Sequence, residues 1–154
     1  MVNYISYSDE SYSKNQRFRS IAAFSFQANH LEFINSKLNQ IFQRREISEF
    51  KWQKLKEQKY YDCAIELIDF IWTYLTQIDG RIDVIIWDTQ DSRHTIRNRD
   101  DMSNYGRMFF HLHSYLFKQR PTDSRWILYP DEGVGIDWKP IRRCMNAVGK
   151  SQKY

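Results

Sequence analysis

Glycine and proline are scarce in this chain, 5 and 3 residues of 154. That excludes collagen-like and linker-rich classes. Cysteine is scarcer still: Cys63 and Cys144 stand alone, with no CxxC pair, so a thiolate zinc site is excluded and a reducing cytosol suits them better than a secreted, disulfide-stapled scaffold. No apolar run approaches the roughly 20 residues of a membrane span. The most apolar stretch, Ala64 to Leu75, is interrupted by Glu66 and Asp69. The opening MVNYISYSDE lacks a basic region before its first acids, so it does not read as a signal peptide. Walker loop, GxSxG elbow and HExxH are all missing.

What is abundant is aromatic surface, 16% of residues, which is too much for a disordered polypeptide. A chain of this length buries roughly 68–70% of its unfolded surface and needs neither disulfide nor metal to fold. We expect one domain over residues 1–150 and a frayed tail at 151–154. Net charge is +4, all of it from residues 81–154, where 13 basic residues face 9 acids. Such a balance is compatible with a polyanionic partner and equally with plain solubility.

The hydrophobic period switches repeatedly along the chain. Tyr4 to Ser8 alternates as a strand ending at Asp9-Glu10, and Phe18 to Phe26 returns as its hairpin partner. Asn29 opens a helix with Leu31, Ile34, Leu38, Ile41 and Phe42 on one face, and Arg44-Arg45 close it. The segment ISEFKWQKL, Ile47 to Leu55, reads as a short strand and then a turn of helix. Lys59 to Gln77 is the strongest helix, with Ala64, Leu67, Ile68, Ile71 and Leu75 as its inner stripe and Gly80 as terminator. Ile82 to Trp87 is a continuous β-branched run, the pattern of a strand covered on both faces, and Asp88 ends it. A polar loop over residues 90–104 precedes a helix, Tyr105 to Lys118, with Tyr105, Met108, Phe109, Leu112 and Leu116 facing inward. Trp126 to Tyr129 is a last strand before Asp131-Glu132, and Pro140 opens a final helix. The expectation is a mixed α/β layer fold, with an N-terminal antiparallel hairpin and later strands, reached through helices, running parallel.

Three apolar strands therefore run directly into carboxylates: Asp9-Glu10, Asp88 and Asp131-Glu132. Ligands of open α/β sheets bind beyond the carboxyl ends of the strands. If the three strands are neighbours, five acids meet at one edge and repel unless protonated or bridged by cations. Oxygen-only ligands suit Mg²⁺ or Mn²⁺ rather than zinc. Acids also serve simply as turn and cap residues at strand ends. Glu49 is a further candidate ligand, or else a first-turn acid. Lys51 and Lys54, with Arg93, Arg97, Arg99 and Arg107, are candidates for phosphate contacts, or else solvated surface. Trp52, Trp87, Trp126 and Trp138 can stack bases, though core packing is the commoner role. His111 and His113 diverge by about 200° on a helix and cannot share a metal.

The segments YSDES, IAAFSF, EFKWQKL, IDVIIWD and LYPDEG, with a helix bearing Tyr105 and His111, together resemble the bacterial and phage family termed domain of unknown function 3800. Members of that family are similar to the ribonuclease H superfamily. The resemblance spans residues 4 to 138, and DES with EFKWQKL is its most specific part. Tyr12 stands where glycine commonly follows DES. The resemblance implies a ribonuclease H-like mixed sheet flanked by helices and a metal-dependent nuclease acting on DNA or RNA. Asp9 would bridge Mg or Mn ions, Asp88 and Asp131 or Glu132 would hold them, and Glu10 and Glu49 would support. The other class open to this chain is a catalytically silent nucleic-acid- or protein-binding module. No membrane partner is expected, and a protein partner or second copy is left open.

Overall fold

A computed structural model describes residues 2–11, 17–91, 100–131 and 137–151. The chain divides into two compact units: residues 1–25 with 81–154, and residues 26–80.

The first unit is built on a four-stranded sheet of order β3-β2-β1-β4. The strands are β1 (Asn3–Ser11), β2 (Phe18–Gln27), β3 (Arg81–Asp88) and β4 (Arg125–Pro130). β1 and β2 form the expected antiparallel hairpin. β4 pairs parallel with β1, from Asn3 opposite Arg125 to Ser8 opposite Pro130. β3 corrects the expected parallel pairing, because it joins β2 antiparallel, with Phe18 opposite Asp88 and Ser25 opposite Arg81. Two antiparallel steps leave β3 running the same way as β1 and β4.

Two helices of this unit are α3 (Asp101–Lys118) and α4 (Trp138–Ser151). Asp100 caps α3, its carboxylate accepting from the Ser103 N–H at 2.8 Å. The inward stripe read from the sequence is the one observed: Tyr105, Met108, Phe109, Leu112 and Leu116 are all buried. They pack with Ile21, Ala23 and Trp87 of the sheet, and Trp126, Leu128 and Trp138 close the periphery. Trp87 is thus a core residue, and Trp126 stacks on Tyr4 at 5.0 Å between ring centroids.

Only one face of β3 is covered. Ile82, Val84 and Ile86 are exposed, whereas the continuous apolar run had suggested cover on both faces. β3 is an edge strand, and three of its four β-branched side chains meet solvent.

The second unit carries α1 (Leu31–Arg44) and α2 (Gln58–Tyr74). Arg44 and Arg45 at the end of α1 both bind Glu66 of α2, and Arg45 also reaches Asp62 at 3.1 Å. ISEFKWQKL contains no strand, only a 3₁₀ turn at Trp52–Lys54. The stop after α2 differs from expectation as well. Asp79 takes the left-handed conformation, at φ 49°. Gly80 is needed for space instead, since a Cβ there would lie 2.9 Å from the Leu75 side chain and 3.1 Å from its carbonyl oxygen. On α2, Ala64 is buried as expected, but Tyr60, Cys63 and Phe70 complete the inner face and Ile68 points to solvent.

His113 is fully buried, and His111 is exposed. The His113 Nδ1–H donates to the Phe109 carbonyl at 3.0 Å, which leaves Nε2 to accept from the Ser6 hydroxyl at 3.1 Å. Burial holds the imidazole pKa down to about 4. A depressed histidine adds stability that is complete above its unfolded value of about 6.5 and is lost as pH falls through the folded one. We therefore expect the His113 ring protons to titrate near pH 4 by NMR, with melting temperature falling between pH 6.5 and 4. Leu116→Ala, at a fully buried site, should cost roughly 2–5 kcal/mol in urea unfolding.

Candidate metal centre

The site grows from the β1–β4 pairing. Parallel neighbours end at the same edge, so the residues following the last paired positions, Asp9 beyond Ser8 and Asp131 beyond Pro130, arrive side by side. The Asp131 N–H donates to the Ser8 carbonyl at 3.0 Å and continues the ladder by one residue. β1 itself runs on through Ser11, so Asp9 and Glu10 lie within the strand rather than after it. α3 grips β1 on both sides of this pair: His113 holds Ser6, and the Tyr105 hydroxyl donates to the Ser11 carbonyl at 3.2 Å. The acidic dipeptide is thus stretched between two anchors on one helix.

Asp9, Glu10 and Asp131 each offer a carboxylate oxygen, all within 4.8 Å of one another. Asp9 and Asp131 are exposed and Glu10 is half-buried. Burial pushes the Glu10 carboxyl above its ordinary value; the charges of Asp131 and then Asp9 push it further, against a backbone hydrogen bond that lowers it. Three hard oxygen donors at this spacing fit a cation of the Mg²⁺, Mn²⁺ or Ca²⁺ type and do not fit a thiophilic one.

Asp88 is not in this cluster. Its strand ends at the same edge, but β2 lies between β3 and β1, a separation of about 10 Å. Its carboxylate is occupied by Arg17, with Nε at 3.0 Å from Oδ1 and Nη2 at 2.8 Å from Oδ2, and by the Gln90 N–H at 3.0 Å. The Arg17 guanidinium and that amide hold it below the usual carboxylate range. The Thr89 N–H and hydroxyl both donate to the Arg17 carbonyl, at 2.9 and 2.8 Å. The Arg17–Asp88 pair thereby clasps the start of β2 to the end of β3. No sequence pattern linked Arg17 to Asp88, which lie 71 residues apart.

Glu49, Lys51 and Lys54 belong to the second unit. Glu49 and Lys51 pair with each other at 3.0 Å, both exposed. Lys54 lies 3.3 Å from the Tyr60 hydroxyl. Arg107 is exposed on α3. Glu132, Arg93, Arg97 and Arg99 lie outside the described residues.

Comparison with known proteins finds two archaeal relatives in Methanothermobacter thermautotrophicus. Uncharacterized protein ORF2' is 32% identical over 161 aligned positions, covering 95% of this chain and 54% of the relative. Uncharacterized protein ORF2 is 30% identical over 156 positions, with the same coverage. The chain spans about half the length of the curated relatives it matches. No family model matches the chain. No solved structure matches it.

The raised Glu10 value sets a pH test. An acid whose folded pKa exceeds its unfolded one penalises the fold above the folded value, and the penalty is gone below the unfolded value. Glu10→Gln should therefore be more stable than wild type at pH 7, and the difference should vanish as pH falls into the ordinary carboxyl range. Paired urea titrations at pH 7 and pH 4 measure it.

Proposed function

We propose that this protein is a divalent-metal-dependent hydrolase of nucleic-acid phosphodiester bonds, with Asp9, Glu10 and Asp131 as the metal-holding residues. The observation that carries this reading is the convergence of three carboxylates from two adjacent parallel strand ends. A ribonuclease H-like arrangement is part of the proposal. Three antiparallel strands, with β3 reached through the second unit, followed by a helix and a strand parallel to β1, support it. This reading assigns Asp131, rather than Asp88, to the strand that follows α3.

Asp9 and Asp131 present exposed oxygens, while Glu10 is the member whose surroundings favour a proton when no cation balances the charge. A Mg²⁺ or Mn²⁺ ion supplies charge neutralisation at phosphate and lowers the pKa of bound water. Arg107, on the helix that clamps β1, is the described cation of the first unit assigned to phosphate contact.

The test combines stability with catalysis. Mg²⁺ or Mn²⁺ at a hundredfold excess over Kd should stabilise the wild type by about 2.7 kcal/mol. Asp9→Asn should relieve repulsion and abolish that response. Labelled single- and double-stranded DNA and RNA should be cleaved with either metal, and neither with chelator nor by Asp131→Ala. Asp88→Ala should retain the metal response, since Asp88 is committed to Arg17. A metal response without cleavage of any of these substrates would leave the binding-module reading in its place.

A further inference from the structure

The second unit carries an apolar surface unrelated to the acids. Tyr61, Ile65, Ile68 and Trp72 of α2 are 52, 44, 53 and 87% exposed. They recur at steps of four, three and four residues and share one face, opposite Cys63 and Phe70, which are buried. Ordinary surface leucines and isoleucines occur singly; a continuous stripe ending in a nearly bare tryptophan marks a contact surface.

We propose that this stripe is a self-association surface on which a second copy of the chain packs its own α2 antiparallel. The spacing is palindromic. Turned by a two-fold axis between Ile65 and Ile68, the stripe meets itself with Tyr61 against Trp72 of the other copy and Ile65 against Ile68, giving two aromatic pairs around an aliphatic centre. A two-fold interface demands this self-complementarity.

The flanks agree with it. Ala64 and Ile71, both apolar, border one side. Asp62 and Asp69 border the other, and the pairing sets Asp69 beside Asp62 of the second copy. Asp62 already carries Arg45 at 3.1 Å, so Asp69 meets an ion pair rather than a bare carboxylate. The same acidic border disfavours an anionic membrane, which selects Lys and Arg at that position.

The four side chains expose roughly 500 Å². Pairing two copies buries about 1,000 Å², the lower bound for a specific interface, so the dimer is weak and concentration-dependent.

Sedimentation equilibrium of the full chain over a wide concentration range tests this. Wild type should pass from monomer to dimer. Ile68→Glu should weaken association by about a hundredfold or more while leaving circular dichroism unchanged, because the position faces solvent. Ile86→Glu, on the exposed face of β3, should associate like wild type. The proposal is overturned if wild type stays monomeric throughout, whether or not it binds phosphatidylcholine vesicles. A dimer that survives Ile68→Glu, or one broken by Ile86→Glu instead, also overturns it.

Discussion

The pairing of β1 with β4 is the contact on which the rest of this structure depends. Its register brings Asp9 and Asp131 together, and a shift of one residue would send each side chain to the other face of the sheet. The arrangement works against itself electrostatically, since adjacent strand ends are a poor place for three carboxylates. What holds them there is apolar and neutral: Tyr4 stacked on Trp126, Tyr7 stacked on Tyr129 at 5.0 Å, and α3 clamping β1 through His113 and Tyr105. Packing energy is what confines the like charge at this edge.

His113 shows how that confinement is built. A charged imidazole beneath β1 would add a cation near the acids and relieve their repulsion. Burial keeps it neutral instead, and its two ring nitrogens serve only to position Ser6 and the α3 backbone.

Much of this architecture was legible in the residues. The inner stripe of α3, the strand at Trp126 to Tyr129 and the N-terminal hairpin follow from hydrophobic period alone, because helix and strand repeats differ and each element is long enough to display its own. Two of the three acidic strand ends also met as expected. Strand order was not legible. Ile82 to Trp87 looks the same whether it lies at the centre or at the edge, and only its neighbours distinguish the two. With β3 at the far edge, Asp88 is two strands from Asp9 and finds Arg17 instead. The segment EFKWQKL misled for a related reason, since its alternation of aromatic and charged residues is satisfied by a single 3₁₀ turn with Trp52 in solvent.

The path of the chain has a kinetic consequence. Ser6 and His113 are separated by 107 residues, and β4 follows later still. The whole second unit, together with β3 and α3, is synthesised before β1 can find its parallel neighbour. Loop closure over such a span must be completed before its contacts stabilise anything, so pairings of this kind form slowly and late. The helices of the second unit depend on local contacts and need not wait. The acid cluster is therefore among the last features to exist during folding, formed only on a chain that has already closed its sheet.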